Sequence, residues 1–331
     1  MKTRVDSGVG EQLACSPSAS PSRFVRTELR ALHPYTLEQT ECRFKLDQNE
    51  VPWDFPARLK RRALARLAAV DWARYPDFHA DELRRALGVL LDWPMEGILV
   101  GNGSNEMLGI TLEGLVRPGT EVLGVLPSFG LYEMFVRRAG GVPRFLAPRA
   151  DLQLQVDELA IEIARDPRRP LLLCSPNNPT GAAASVEEVE RLLEALDAPL
   201  LLDNAYGEFC RFDYRPLLDR HPNLLLFRTF SKAWSLGGMR LGYLVAHPDL
   251  VSELIKVKLP YNLNHAGVAA GLAALEGHQA ATRRIRLLVA RRAQWLAMLS
   301  DLGLDVHPSE GNFLLVSARR ATSRRIRRVA A

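Results

Sequence analysis

Two features of the sequence predict an α/β fold with a mostly parallel central sheet: apolar runs that do not alternate, and amphipathic stretches lying between them. The runs VLGVL (122–126), LLLCS (171–175), LLLDN (200–204) and LLLFRTF (224–230) are apolar at successive positions. Strands covered on both faces have that composition. The clearest helical stretch is SVEEVERLLEAL (185–196). Ser185 and Glu188 make an S-x-x-E capping box, and Val186, Val189, Leu192, Leu193 and Leu196 form an apolar stripe. Alternating strands and helices place a ligand site at the carboxyl ends of the strands. After Pro260 the pattern changes to a helical region over roughly 265–302 and then to two short strand-like runs, which read as a second, smaller domain.

The composition, 47% hydrophobic and 24% charged, suits a soluble globular enzyme. No apolar run approaches the length of a membrane span. The first twenty-three residues lack an apolar core, so they do not read as a signal peptide. A flexible arm is expected over 1–30. The four cysteines (Cys15, Cys42, Cys174 and Cys210) are scattered, with no CxxC pair. That spacing suggests neither a metal site nor a disulfide framework, and it suits reduced thiols in a cytoplasmic protein. The net charge of +5 is local: residues 317–331, SARRATSRRIRRVAA, hold six arginines and no acid, and without them the charge is −1. The tail reads as a solvated end or as a surface for polyanions. The body shows no basic face, so no nucleic-acid or membrane partner is expected. A nucleic-acid role would appear as salt-dependent binding that disappears when 317–331 is deleted.

Four stretches carry candidate chemistry, each with a plainer reading beside it. GNGSNEML (101–108) follows an apolar ILV. Its glycines and the helix start after them can present backbone N–H groups to an anion, or simply make a tight turn. It is neither a dinucleotide fingerprint nor a P-loop. SPNNPTG (175–181) is a turn whose asparagines can bond a ligand or their own backbone. Asp203 ends an apolar strand and needs a cation, strong donors or a helix cap; Tyr206 lies three residues on. Lys232 could be a snorkelling surface group. Thr229, Ser231, Arg240 and the pair Gly237–Gly238 around it could instead cradle a phosphate. A partly desolvated lysine beside cations becomes a nucleophile for carbonyls. Together the four supply a phosphate cup, a carboxylate, a phenol, an asparagine and a nucleophilic lysine, the set that pyridoxal phosphate requires.

At these residues the sequence resembles the histidinol-phosphate aminotransferases, within the fold-type-I pyridoxal-phosphate-dependent transferases. The resemblance rests on LHPYT (32–36), LDQNEVPWDFP (46–56), RYPD (74–77), GSNE (103–106), PSFGLY (127–132), PNNPTG (176–181), DNAY (203–206), TFSKAWSLGGMRLGY (229–243) and NFLLV (312–316). It implies a mostly parallel sheet sandwiched by helices, in a large cofactor-binding domain over 31–260. Residues 31–60 would also serve the substrate site and the small domain, which would be an incomplete one over 261–316 ahead of the basic tail 317–331. It further implies that Lys232 holds pyridoxal 5'-phosphate covalently and shuttles a proton, and that Asp203 pairs with the ring nitrogen. Tyr206 and Asn178 would bond the ring oxygen, and Phe129 would stack on the ring. Ser104, Asn105, Thr229, Ser231 and Arg240 would hold the phosphate. Tyr75 would reach the phosphate of a neighbouring subunit in a homodimer, and Tyr35 and Asn49 would face the substrate. The implied reaction, a step of histidine biosynthesis, exchanges an amino group between histidinol phosphate and 2-oxoglutarate. A lyase resembling threonine-phosphate decarboxylase would use the same cofactor groups.

The chain departs from the family at Phe129, where tyrosine is usual, and at Asn204, where glutamate is common. After Val316 the composition shifts abruptly, and no carboxylate-binding pattern follows. The shift predicts an end replaced by truncation or a change of reading frame, with a small domain short of core and weak binding of carboxylate substrates. A catalytically impaired homologue is the corresponding alternative. Resequencing the coding DNA tests this: an intact frame with no family-like extension in another frame contradicts it.

Overall fold

The computed structural model describes residues 21–30, 32, 34–36 and 45–317. Cys15, Cys42, most of the expected arm 1–30 and all but the first residue of the basic tail lie outside them. The chain divides into two units, 1–36 and 37–331. In the first, a 3-10 turn at Pro21–Phe24 precedes a single helical turn, α1 (Thr27–Arg30). The second unit runs in the order α2 (Ala57–Ala68), α3 (Asp81–Leu91), β1 (Ile98–Gly101), α4 (Ser104–Leu115), β2 (Glu121–Val125), α5 (Tyr132–Arg138), β3 (Val142–Leu146) and α6 (Val156–Arg165). It continues through β4 (Leu171–Cys174), α7 (Val186–Ala195), β5 (Leu200–Asp203), β6 (Leu224–Thr229), β7 (Gly242–Val245), α8 (Pro248–Leu254), α9 (His265–Glu276), α10 (His278–Asp301), β8 (Asp305–His307) and β9 (Leu315–Ser317).

Seven strands form one sheet in the order β1-β7-β6-β5-β4-β2-β3. The neighbours among β2 to β6 pair in parallel, and β7 runs antiparallel to both β6 and β1. Each predicted apolar run is a strand of this sheet, and the missing alternation has a direct cause. One face of the sheet presents Leu171, Leu173, Leu200, Leu202, Leu224 and Leu226 to a cluster built with α2, α3, α6, α7 and α9. The other presents Leu172, Leu201, Leu225 and Phe227 to α4, α5 and α8. Residues between two helical layers have no polar face to show.

The capping box of α7 is formed: the Ser185 hydroxyl accepts from the Glu188 N–H at 3.1 Å, and the Ser185 N–H donates to Glu188 Oε2 at 2.7 Å. The helical region read as 265–302 is two helices separated at Gly277, which ends α9 as its C-cap. Burial separates them. α9 is rich in Ala and Gly and packs against α2 and α3. A Cβ on Gly277 would overlap the Leu59 side chain of α2, so glycine permits this approach. The boundary expected at Pro260 thus precedes a helix whose Ala270 and Ala273 share the buried cluster of the sheet. α10 buries no residue fully and leads to the two-stranded antiparallel ribbon β8–β9. Among the described residues no helix is long and apolar enough to cross a membrane, and no group of three or more His, Cys, Asp or Glu could hold a metal ion.

Candidate active site

Strand register gathers the site. β7 lies between β1 and β6, and Gly242 on it faces Gly101 on one side and Thr229 on the other. On β4, β5 and β6, Cys174, Asp203 and Phe227 are likewise in register. The glycine loop before α4, the SPNNPTG loop, Asp203 and the segment carrying Lys232 therefore all leave the sheet at its carboxyl edge, as the fold class predicts.

At one end is an anion cup. α4 begins at Ser104, with its free N–H groups facing the edge and with no side-chain cap. Gly103 has φ +84°, and a Cβ there would stand 2.8 Å from Arg240 Nη2, so the guanidinium lies against the bare backbone. Gly242 allows the same closeness, since a Cβ on it would overlap the Ser104 N–H. Thr229 Oγ1 is 3.0 Å from Ser231 Oγ and accepts from the Ser231 N–H at 3.1 Å. Arg240, itself at φ 51°, is anchored by donating to the Gly237 carbonyl at 3.0 Å. Asn105 is half-buried in the first turn of α4.

Lys232 stands beside this cup. Its Nζ donates to the Gln48 carbonyl at 2.6 Å and lies 5.8 Å from the centre of the Tyr206 ring. Burial pushes this amine below the usual lysine range; Glu50 pulls the other way, while Arg240 and Lys45 add to the depression. The Tyr206 phenol is buried and accepts from Asn49 Nδ2 at 3.1 Å, with the Asn178 side chain beside it. Burial raises its pKa, so the hydroxyl keeps its proton. Asn177, by contrast, is occupied with structure: it accepts from Ser128 at 2.8 Å and donates to Pro127 O and Thr180 Oγ1.

Asp203 is 4% exposed. Its Oδ2 accepts from the Tyr132 hydroxyl at 2.7 Å and its Oδ1 from the Ala205 N–H at 3.1 Å. Burial raises the carboxyl pKa, and the Tyr132 bond, the Ala205 bond and the charge of Lys232 oppose it. Phe129 meets the Tyr132 ring edge-on at 5.5 Å.

Lys232, Asp203, Tyr206, Asn178, Asn49 and the cup residues are thus brought together. Tyr75 is not: it is 80% exposed and stacks on Tyr261 at 4.7 Å. Tyr35 belongs to the other unit and is 52% exposed. Sequence reasoning missed four contributors. Tyr132 holds Asp203, and the Gln48 carbonyl holds Lys232. Asn312 Nδ2 donates to the Asn49 carbonyl at 2.9 Å, while Phe313 packs edge-on against Tyr206 at 5.1 Å. The last pair could have been suspected from NFLLV, because a polar residue opening an apolar run needs a partner. Beyond Ser231 and Gly237 a cleft of about 880 Å³ opens, lined by Lys45, Trp53, Trp295 and Asn312 among others.

This donor set fits pyridoxal phosphate. The Gly103 cradle, the helix start, two hydroxyls and Arg240 suit a phosphate. Asp203 suits a ring nitrogen, Tyr206 and Asn178 a ring oxygen, and the depressed amine of Lys232 a carbonyl.

Comparison with known proteins agrees. The family model for aminotransferase class I and II matches residues 43–328, running past Val316 into the arginine-rich end. The histidinol-phosphate aminotransferase of Thermococcus kodakarensis is 36% identical over 297 residues, 89% of this chain and 85% of that protein. The Roseiflexus castenholzii enzyme of the same name is 37% identical over 317 residues, 90% and 84% of the two chains. The histidinol-phosphate aminotransferase of Sinorhizobium meliloti, solved in complex with pyridoxal-5'-phosphate, has the same fold with TM-score 0.82 at 24% identity, over 95% of this chain and 86% of that one. The L-threonine-O-3-phosphate decarboxylase of Porphyromonas gingivalis aligns with TM-score 0.71 at 25% identity over 83% of each chain. The fold is that of the fold-type-I pyridoxal-phosphate-dependent transferases. This chain belongs to the histidinol-phosphate aminotransferase family, within the class I and II aminotransferases.

Proposed function

We propose that the chain is a pyridoxal-phosphate-dependent histidinol-phosphate transaminase. It moves an amino group between histidinol phosphate and 2-oxoglutarate, with imidazole-acetol phosphate and glutamate on the other side, as a step of histidine biosynthesis. The observation that carries this reading is the half-buried amine of Lys232, depressed in pKa and set between the phosphate cup and the Asp203–Tyr206–Asn178 group. Curated relatives at 36% and 37% identity carry the name of this activity.

When bound, pyridoxal phosphate supplies a carbonyl for amines and a ring that accepts electrons. Lys232 would hold that carbonyl through Nζ. With the amino substrate in place, the same Nζ would take a proton from the substrate carbon and return it one position away. Asp203 holds a proton at the ring nitrogen. Tyr206 and Asn178 would bond the ring oxygen, and Phe129 would cover the ring face. Ser104, Asn105, Thr229, Ser231 and Arg240 anchor the phosphate. Asn49, tied to Asn312, fixes the wall on the substrate side, and Tyr35 is assigned to the same substrate. Lys45, Arg291 and Arg292 line the cleft and suit the anionic ends of the substrates.

The chain acts as a cytoplasmic homodimer in this reading. Trp72, Tyr75, Phe78, Leu259 and Tyr261 are exposed apolar groups, and a partner subunit would cover them, with Tyr75 reaching the neighbouring cofactor phosphate.

The test is turnover by the purified chain. With pyridoxal phosphate, histidinol phosphate and 2-oxoglutarate, it should form glutamate and imidazole-acetol phosphate in equal amounts. Carbon dioxide released from threonine phosphate without use of 2-oxoglutarate would assign the decarboxylase reaction instead.

A further inference from the structure

Tyr132 has no part in the expected chemistry, yet it is the largest polar group touching Asp203. It opens α5, is 2% exposed, and donates its hydroxyl to Asp203 Oδ2 at 2.7 Å. A tyrosine that only filled the core would leave that hydroxyl near a carbonyl or water. Here it is aimed at a buried carboxylate at the end of β5.

The groups facing Asp203 come from four places. α5 supplies the Tyr132 hydroxyl. The Ala205 N–H bonds Oδ1 from the turn after β5. Cys174 stands opposite in register on β4, with its thiol donating to the Pro176 carbonyl at 3.2 Å and lying beside the Tyr132 hydroxyl. Lys232 supplies positive charge from the segment after β6. Lys232 is the group that reacts, so its charge is not a fixed feature of the site. Tyr132 and the Ala205 N–H are the constant donors. Burial disfavours the ionised form of a carboxyl, and donated hydrogen bonds restore it. The Tyr132 phenol, raised well above its ordinary pKa by burial, remains a donor at any working pH.

We propose that Tyr132 is a positioning residue: its hydroxyl fixes Asp203 in place as a carboxylate, so that the proton they share stays on the cofactor's ring nitrogen rather than on Asp203. The proposal rests on the reading above, in which that nitrogen meets Asp203. Removing the donor raises the proton affinity of the carboxylate and draws the shared proton toward oxygen. The ring then accepts electrons less well, which slows the chemical step and leaves substrate binding alone.

The experiment loads wild type and Tyr132→Phe with pyridoxal phosphate labelled with 15N in the ring and records the nitrogen resonance beside steady-state kinetics. In Tyr132→Phe the resonance should move toward the unprotonated position. kcat should fall about tenfold to a hundredfold, the effect of one lost charge-assisted bond, while KM for histidinol phosphate changes less than about twofold. Tyr132→3-fluorotyrosine keeps the shape and strengthens the donor, so its resonance should move the opposite way; it also serves if Tyr132→Phe does not fold. A loaded wild type whose resonance equals those of the variants overturns the proposal alone. A wild type that takes up no pyridoxal phosphate overturns the functional reading, and the proposal with it.

Discussion

Lys232 is a cation held where burial opposes its charge, with its Nζ tied to the Gln48 carbonyl. Its folded-state pKa lies below the ordinary lysine value of 10.5, so the unfolded chain binds more protons than the folded one. The amine therefore costs stability below its folded pKa, and that cost vanishes as pH rises through 10.5. Lys232→Met should raise the melting temperature of the cofactor-free chain at neutral pH, and the gain should shrink toward zero as pH approaches 10.5; a gain independent of pH would contradict it. Lys232, Asp203 and Arg240 were readable in the sequence because charged side chains beside apolar strands and glycines demand an explanation. Tyr132 was not: its partner is 71 positions away, and PSFGLY contains two aromatic residues without saying which one turns toward the carboxylate. Asn49 was readable only through the family resemblance, since nothing local shows that its side chain reaches Tyr206.

The strands declared themselves through composition, and the sheet explains why. β4, β5 and β6 are buried on both faces, so their apolar runs have no polar interruption. β7 was harder to read, because GYLV is short and its antiparallel direction depends on the two strands it joins. The break at Gly277 was hidden inside a continuous helical pattern, since glycine within such a run reads equally as a tolerated interior residue or as a cap. The α7 start was the most readable element, because both halves of its capping box are local. Ser185→Ala should cost about 1 kcal/mol in a denaturant titration, with no change in cofactor binding. Gly242→Ala is a sharper test of how the strands build the cup. Its methyl would press on the Ser104 N–H and the Gly103 backbone, so pyridoxal-phosphate affinity, measured by equilibrium dialysis, should fall at least about tenfold, the equivalent of one lost phosphate contact. Unchanged affinity would mean that the cup does not hold the phosphate.

Across the whole molecule, the exposed aromatic residues around Tyr75 and Tyr261 form the surface assigned to a second copy of the chain. In sedimentation velocity the wild type should run as a dimer, and the double variant Trp72→Asp, Tyr261→Asp should run as a monomer; a monomeric wild type would remove Tyr75 from the cofactor site. The α/β class was open to reading from the sequence, as was the edge of the sheet that carries chemistry, since both follow from patterns a few residues long. The placing of α9 in the core of the sheet was not, because its Ala and Gly residues show little amphipathic contrast and only the close approach to Leu59 and Leu83 reveals their purpose. In the proposed reaction Lys232 and its neighbours serve the exchange of an amino group. The most direct measurement mixes the pyridoxal-phosphate-loaded chain with histidinol phosphate alone and follows the visible spectrum. Loss of the absorbance band of the loaded protein, with the amino form of the cofactor and one equivalent of imidazole-acetol phosphate appearing, is the predicted result. A band that persists unchanged in the presence of saturating histidinol phosphate would contradict it.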